Sequence, residues 1–242
     1  MSEGGFGPPF PMDYKQIIWL ASYPKSGNTW VRLLLDAYFL GELDINEILC
    51  SFGDDNAGPY QPGDGSQAWA FPIDIQQLTR PMAMLRKVLI YNQSEKAFPL
   101  FIKTHDANVI ANGIELLPQS LTKATIFMVR DPRDVLPSYA NHMGATLDEA
   151  VTMMGRKHQL LSPAQSRMAD YISSWDRHTE SYLAAKDHNV LMVRYEDMKV
   201  DPVSEFARIL EHSGVTPDLS RVKTAVKATE LSSLRERERK EG

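Results

Sequence analysis

Four short apolar runs punctuate the chain, at 17–21, 100–103, 124–129 and 190–193. Each is continuous and does not alternate with polar residues, the pattern of strands covered on both faces. Between and after them, apolar residues recur at helical spacing. That spacing predicts helices over 28–40, 75–91, 134–143, 164–185, 203–212 and 219–229. Pro81 breaks or starts a segment inside the second of these. Gly214, two residues after His212, reads as a helix stop. Strand and helix alternate without an internal repeat. This implies a single α/β domain with a central parallel β-sheet flanked by helices, right-handed crossovers, and ligands gathered at the carboxyl ends of the strands.

One stretch breaks the alternation. Residues 50–72 hold Gly53, Gly58, Pro59, Pro62, Gly63, Gly65 and Pro72 and keep no periodicity. A loop this long inside a compact domain points to function or mobility. Two readings stand side by side: an acceptor-side lid lined by Tyr60, Trp69 and Phe71, or a surface insertion. The Gly- and Pro-rich start reads as a flexible N-terminal tail over 1–14, with the domain proper at 15–242.

The densest chemistry lies between the first strand and the first helix, in Tyr23-Pro24-Lys25-Ser26-Gly27-Asn28-Thr29-Trp30. The first turn of a helix leaves backbone donors without partners, which makes such a loop an anion site. Gly27 allows close backbone approach. Ser26, Asn28 and Thr29 bring side-chain donors, and Lys25 a mobile positive charge. In the common nucleotide-triphosphate loop, lysine follows the second glycine and a hydroxyl residue follows the lysine. Here lysine precedes the only glycine by two residues, so the order suits an anion bound without a metal. The plainer alternative is a strand-to-helix turn capped by Ser26 or Asn28.

This octapeptide closely resembles the 5′-phosphosulfate loop of sulfotransferases that use 3′-phosphoadenosine 5′-phosphosulfate (PAPS). A second segment, from Phe127 through Arg130-Asp131-Pro132-Arg133-Asp134 to Ser138-Tyr139, resembles the 3′-phosphate motif of the same family. The two stand in the family's order, about a hundred residues apart, and the resemblance runs from about Ile17 to Leu234. It implies a P-loop-like nucleotide-binding fold, PAPS as sulfuryl donor, PAP as product, no metal, and a small-molecule acceptor bearing a hydroxyl or amine. The Asp131-Pro132-Arg133-Asp134 version leans towards microbial members, and Asn28 stands where many animal members carry Thr.

The resemblance also assigns roles. Phe101-Ile102-Lys103-Thr104-His105 matches the segment that supplies the general base, and His105 is the matching residue; imidazole titrates near neutral pH and can accept a hydroxyl proton. Lys25 would oppose the negative charge growing on the leaving phosphate oxygen. Lys103 would help, unless it is a solvated strand-end lysine. Arg130 and Ser138 would grip the 3′-phosphate, the planar guanidinium by paired hydrogen bonds. The alternative for Arg130 is an ion pair with Asp131 or Asp134, a structural role that falls more naturally to Arg133. Trp30 would stack on adenine or else pack in the core. Tyr195, in Tyr195-Glu196-Asp197, and Thr229 would add adenine-side contacts. Of the remaining histidines only His142 lies near a motif.

Composition narrows the picture slightly. The 242 residues carry 26 basic and 31 acidic side chains, net −5, which argues against a nucleic-acid scaffold but not a nucleotide ligand. A single cysteine, Cys50, rules out an intrachain disulfide and favours a reducing, cytoplasmic setting. No apolar stretch is long enough for a membrane span. The family's closing Gly-x-x-Gly-x-Trp segment has no counterpart; the chain ends on a charged run from Arg235 to Glu241 that reads as a solvated tail. The competing classes are a Mg²⁺-dependent phosphoryl-transfer enzyme and a non-catalytic nucleotide-binding relative.

Overall fold

The computed structural model describes residues 14–41, 80–92, 98–161 and 170–230. The segment 50–72 with Tyr60, Trp69 and Phe71, residues 1–13 and residues 231–242 lie outside the described residues.

Strand β1 (Ile17–Ser22) is buried along its whole length and forms the middle of the molecule. It pairs in parallel with β2 (Leu100–Thr104) on one side, Ile17 opposite Leu100 and Ala21 opposite Thr104. On its other side lies β5 (Thr122–Val129), also parallel, with a register irregularity between Ile17 and Ile18. Strand β8 (Val190–Arg194) completes the four-stranded sheet, in the order β2-β1-β5-β8. Two short antiparallel pairs stand apart from it: β3 (Ile110–Ala111) with β4 (Ile114–Glu115), and β6 (Leu160–Leu161) with β7 (Asp170–Tyr171).

The continuous apolar runs have the expected cause. Alternate residues of each strand face opposite sides, and both sides are covered. Ile18, Leu20, Phe101, Ile126 and Val193 pack with helices α1 (Asn28–Phe39), α7 (Pro202–His212) and α8 (Leu219–Ala228). Ile17, Trp19, Ile102 and Phe127 pack on the other face with α2 (Arg80–Asn92) and with Tyr182 of α5 (Trp175–Leu183). Pro81 is the second residue of α2 as described, and positions 75–79 of the helix expected there lie outside the described residues. A third apolar cluster joins Tyr23 to α3 (Pro132–Met143) and α4 (Leu147–Met154) through Val135, Tyr139 and Ala150.

One predicted element is corrected. The helix expected over 164–185 does not include 170–174: β7 occupies Asp170–Tyr171, Ser173 is left-handed at φ 57°, and α5 begins only at Trp175. A tertiary bond overrides the helical spacing here, because the Tyr171 amide donates to the Asp106 carboxylate at 2.6 Å. Two helices were not anticipated: α4 and the six-residue α6 (Tyr195–Val200).

Candidate functional site

The strand order fixes where a ligand can sit. From β1 the chain crosses to β2 on one side; the later crossovers carry it to β5 and β8 on the other. The segments leaving β1 and β5 therefore diverge and open a crevice at the carboxyl edge of the sheet, the usual ligand position in this architecture. Residues 23–27 leave β1 at this crevice, and Arg130 and Asp131 leave β5. His105 follows β2 directly and Tyr195 follows β8 directly. All four parallel strands thus deliver one candidate residue or loop to a single edge.

The loop after β1 is shaped by two left-handed residues, Lys25 at φ 68° and Gly27 at φ 104°. The Ser26 amide closes a turn onto the Tyr23 carbonyl at 3.3 Å. The Gly27 carbonyl then accepts from Trp30 N at 3.0 Å and Val31 N at 3.4 Å, starting α1. Gly27 is the N-cap and no side chain caps the helix, so neither Ser26 nor Asn28 plays that part. The amides of Asn28 and Thr29 open the helix with no carbonyl one turn behind them. The Ser26 hydroxyl is buried without a hydrogen-bond partner among the described residues. Asn28 turns inward: its Nδ2 donates to Leu20 O at 2.7 Å and to Ser22 Oγ at 3.3 Å, fastening the helix start to the strand end. The expected outward donation by its side chain gives way to this bond, leaving its backbone N–H for the crevice. Lys25 and Thr29 are exposed.

Tyr195 organises the opposite wall. A Cβ on Gly27 would lie 2.6 Å from its Cδ2. The Arg130 guanidinium lies over the Tyr195 ring, 4.4 Å from its centroid, and Arg130 Nη1 donates to Lys25 O at 3.3 Å. Trp30 meets Tyr195 edge-on at 5.9 Å, and its Nε1 donates to Thr229 Oγ1 at 3.3 Å. Gly27, Trp30, Arg130, Tyr195 and Thr229 therefore form one contiguous group. Trp30 is half-buried and also packs on the core, so its two readings are not exclusive. Ser138 lies midway along α3, half-buried. Arg133, as expected, is the structural partner: its Nε donates to Asp131 at 2.9 Å, and these bonds hold the Asp131 carboxyl down at about 2.

His105 stands beside the end of β1. Its Nδ1 donates to the Ser22 carbonyl at 2.8 Å, with Ser22 Oγ at 3.3 Å. A carbonyl can only accept, so Nδ1 carries a proton, and in the neutral form of the ring the lone pair is on Nε2. Lys103, half-buried, lies two residues earlier, within β2. The other histidines are placed differently. His142 is exposed in the last turn of α3, and His158 bonds the Tyr171 hydroxyl at 2.9 Å. His188 and His212 donate to the carbonyls of Leu117 and Asn189. His178, which the sequence does not distinguish from a core histidine, donates through Nε2 to the His105 carbonyl at 3.2 Å. Its only sequence signal is the i, i+4 spacing with Tyr182 on the apolar face of α5. Among the described residues no three His, Cys, Asp or Glu side chains gather as a metal-binding group, and no helix is long and apolar enough to cross a membrane.

Comparison with known proteins agrees with this architecture. The sulfotransferase domain model matches residues 15–241. Sulfotransferase 1B1 of Canis lupus familiaris is 27% identical over 199 residues, covering 79% of this chain and 58% of that protein. Sulfotransferase 1A1 of Rattus norvegicus is 25% identical over 227 residues, covering 90% and 66%. The chain thus spans less than two thirds of the length of these relatives. Among solved structures, mouse sulfotransferase SULT7A1 complexed with PAP superposes with a TM-score of 0.55 at 18% identity, over 93% of this chain and 67% of the other. Retinol dehydratase in complex with retinol and PAP gives 0.53 at 19% identity, over 92% and 67%. These likenesses share the fold of the four-stranded sheet and its flanking helices. With the family match extending over nearly the whole chain, the protein belongs to the sulfotransferase family.

Proposed function

We propose that the chain transfers the sulfuryl group of PAPS to a hydroxyl or amine of a small-molecule acceptor, with His105 as general base. The observation that carries this reading is the His105 hydrogen bond to Ser22 O. In the neutral ring that bond favours the tautomer with a basic Nε2, which supports a base at the sheet edge, beside the loop after β1.

The crevice fits the nucleotide on three counts. Gly27 has no side chain where one would strike Tyr195, Ser26 Oγ is buried and unpaired among the described residues, and Arg130 Nε is buried and unpaired among them too. Lys25, Ser26, Gly27, Thr29 and the Asn28 amide would hold the 5′-phosphosulfate. Arg130 and Ser138 would hold the 3′-phosphate. Trp30, Tyr195 and Thr229 would line the adenine. PAPS, when bound, supplies an activated sulfuryl group on its 5′-phosphate. His105 takes the acceptor proton at Nε2, raising the nucleophilicity of the oxygen or nitrogen. Lys25, helped by Lys103, stabilises negative charge that develops on the phosphate side. Solved neighbours hold retinol and androsterone; a small apolar alcohol is accordingly the first acceptor class to try.

The test is a screen of hydroxyl and amine acceptor pools with labelled PAPS. Label should pass to acceptor, and His105→Ala should cut the rate by about 10²–10⁴ while PAP still binds. An undiminished rate in His105→Ala would remove the base. Transfer from ATP that EDTA abolishes would replace the reading with phosphoryl transfer, and PAP binding without any turnover would leave a nucleotide-binding relative.

A further inference from the structure

Helix α5 grips the backbone around His105 at three points within four residues. His178 Nε2 donates to His105 O at 3.2 Å, Tyr182 donates its hydroxyl to Asp106 O at 2.6 Å, and Ser181 Oγ accepts from Asn108 N at 3.0 Å. Positions 178, 181 and 182 share one helix face by their spacing. The strand end is therefore held by a rigid element and not left as a free loop.

His178 is the central grip. It is fully buried, at 0% exposure. Its ring stands perpendicular to Tyr23 at 5.4 Å and packs on Phe127 at 5.7 Å and Tyr182 at 5.3 Å. One side chain thus touches both the carbonyl of the base and the first residue of the anion loop. Burial pushes its pKa down to about 4, so the ring is neutral and keeps a single N–H, which a carbonyl acceptor places on Nε2. Its Nδ1 has no hydrogen-bond partner among the described residues. A flat ring fills the aromatic slot, and its one donor is spent on the His105 backbone.

We propose that His178 is a positioning residue: by holding the His105 carbonyl it keeps the His105 ring where Nδ1 donates to Ser22 O and Nε2 is the basic nitrogen. The catalytic consequence rests on His105 being the base; the positioning does not.

The test uses the full chain labelled with ¹⁵N-histidine, in which ring-nitrogen shifts report each tautomer and His105→Gln identifies the His105 signals. In the wild type, His105 should carry its proton on Nδ1, and His178 should be neutral with its proton on Nε2. In His178→Phe, which fills the slot without a donor, His105 should relax to a mixture of tautomers. The His188 and His212 signals should stay in place. His178→Gln, which keeps a donor, should restore the single tautomer. A single Nδ1–H tautomer persisting in His178→Phe overturns the proposal. So does a wild-type His178 protonated on Nδ1 alone, a measurement that needs no variant to fold. If the tautomer loosens in His178→Phe yet His105→Ala leaves sulfuryl transfer unchanged, the positioning stands and the base assignment falls.

Discussion

Gly27 answers two constraints at once, and they can be separated by mutation. Its backbone is left-handed at φ 104°, which costs a residue with a side chain about 1–3 kcal/mol. In addition, a Cβ would come within 2.6 Å of the Tyr195 ring. Gly27→Ala should therefore destabilise the chain by more than the backbone strain alone. In a Tyr195→Ala background the clash is gone and only the strain remains, so the cost of Gly27→Ala should fall but not vanish. Denaturant unfolding of the four proteins measures this coupling; an equal cost in both backgrounds would mean that Tyr195 does not press on the loop. At this scale the sequence is unevenly informative. Gly27 and His105 stand out as candidates, one from the loop after β1 and the other from a segment at a strand end that resembles the family's. Asn28 is not, because its side chain bonds a carbonyl eight residues back that no local pattern indicates. His178 is not, because a histidine on an apolar helix face looks the same whether it fills space or holds a neighbour.

Helix α3 carries Ser138 and starts at Pro132, two residues after Arg130, so its first turn bears on the crevice. Asp131 caps it by accepting from Arg133 N at 2.9 Å, Pro132 occupies the first position, and the Arg133 guanidinium closes on the same carboxylate. Hydrogen bonds from Arg133 lower the Asp131 pKa from 3.8 in the unfolded reference to about 2. A carboxyl depressed by folding stabilises the fold above its unfolded pKa and loses that contribution as the pH falls through the folded one. Asp131→Asn keeps a capping oxygen and removes the charge. The stability gap between wild type and this variant should be constant above about pH 4, narrow below it, and close near pH 2. A gap unchanged from pH 5 to pH 2 would show that Arg133 does not hold the ionised form. Element prediction succeeded where the apolar spacing was long and clean, as in α1 and α7. It failed for α4, where exposed Leu147 and Val151 blur the stripe and only the Thr146-x-x-Glu149 capping box marks the start. It also overran α5, since spacing alone cannot reveal the bond from Tyr171 to Asp106 that ends the helical register.

At the scale of the molecule, parallel strands were legible as continuous apolar runs, but their order was not. Which edge a crossover takes is decided by packing across the whole sheet, and that order creates the crevice between β1 and β5. Because the candidate site draws on the ends of all four strands and on Thr229 at the end of α8, nucleotide binding there would be linked to the whole fold. PAP at a hundred times its Kd should raise the unfolding free energy by about 2.7 kcal/mol. Hydrogen exchange should slow at the loop 23–30 and around 105, 130 and 195 together, with no change at the outlying β3–β4 pair. On the proposed reading, Arg130 decides what the crevice recognises. AMP shares the adenine and the 5′-phosphate of PAP but lacks the 3′-phosphate. A charged hydrogen bond of about 1.5–3 kcal/mol predicts that Arg130→Ala weakens PAP by roughly 10- to 150-fold. AMP should suffer a smaller loss, through the Arg130 bond to the Lys25 carbonyl. Equal weakening of both ligands, measured by calorimetry, would mean that Arg130 serves the shape of the loop after β1 and that the 3′-phosphate is recognised elsewhere.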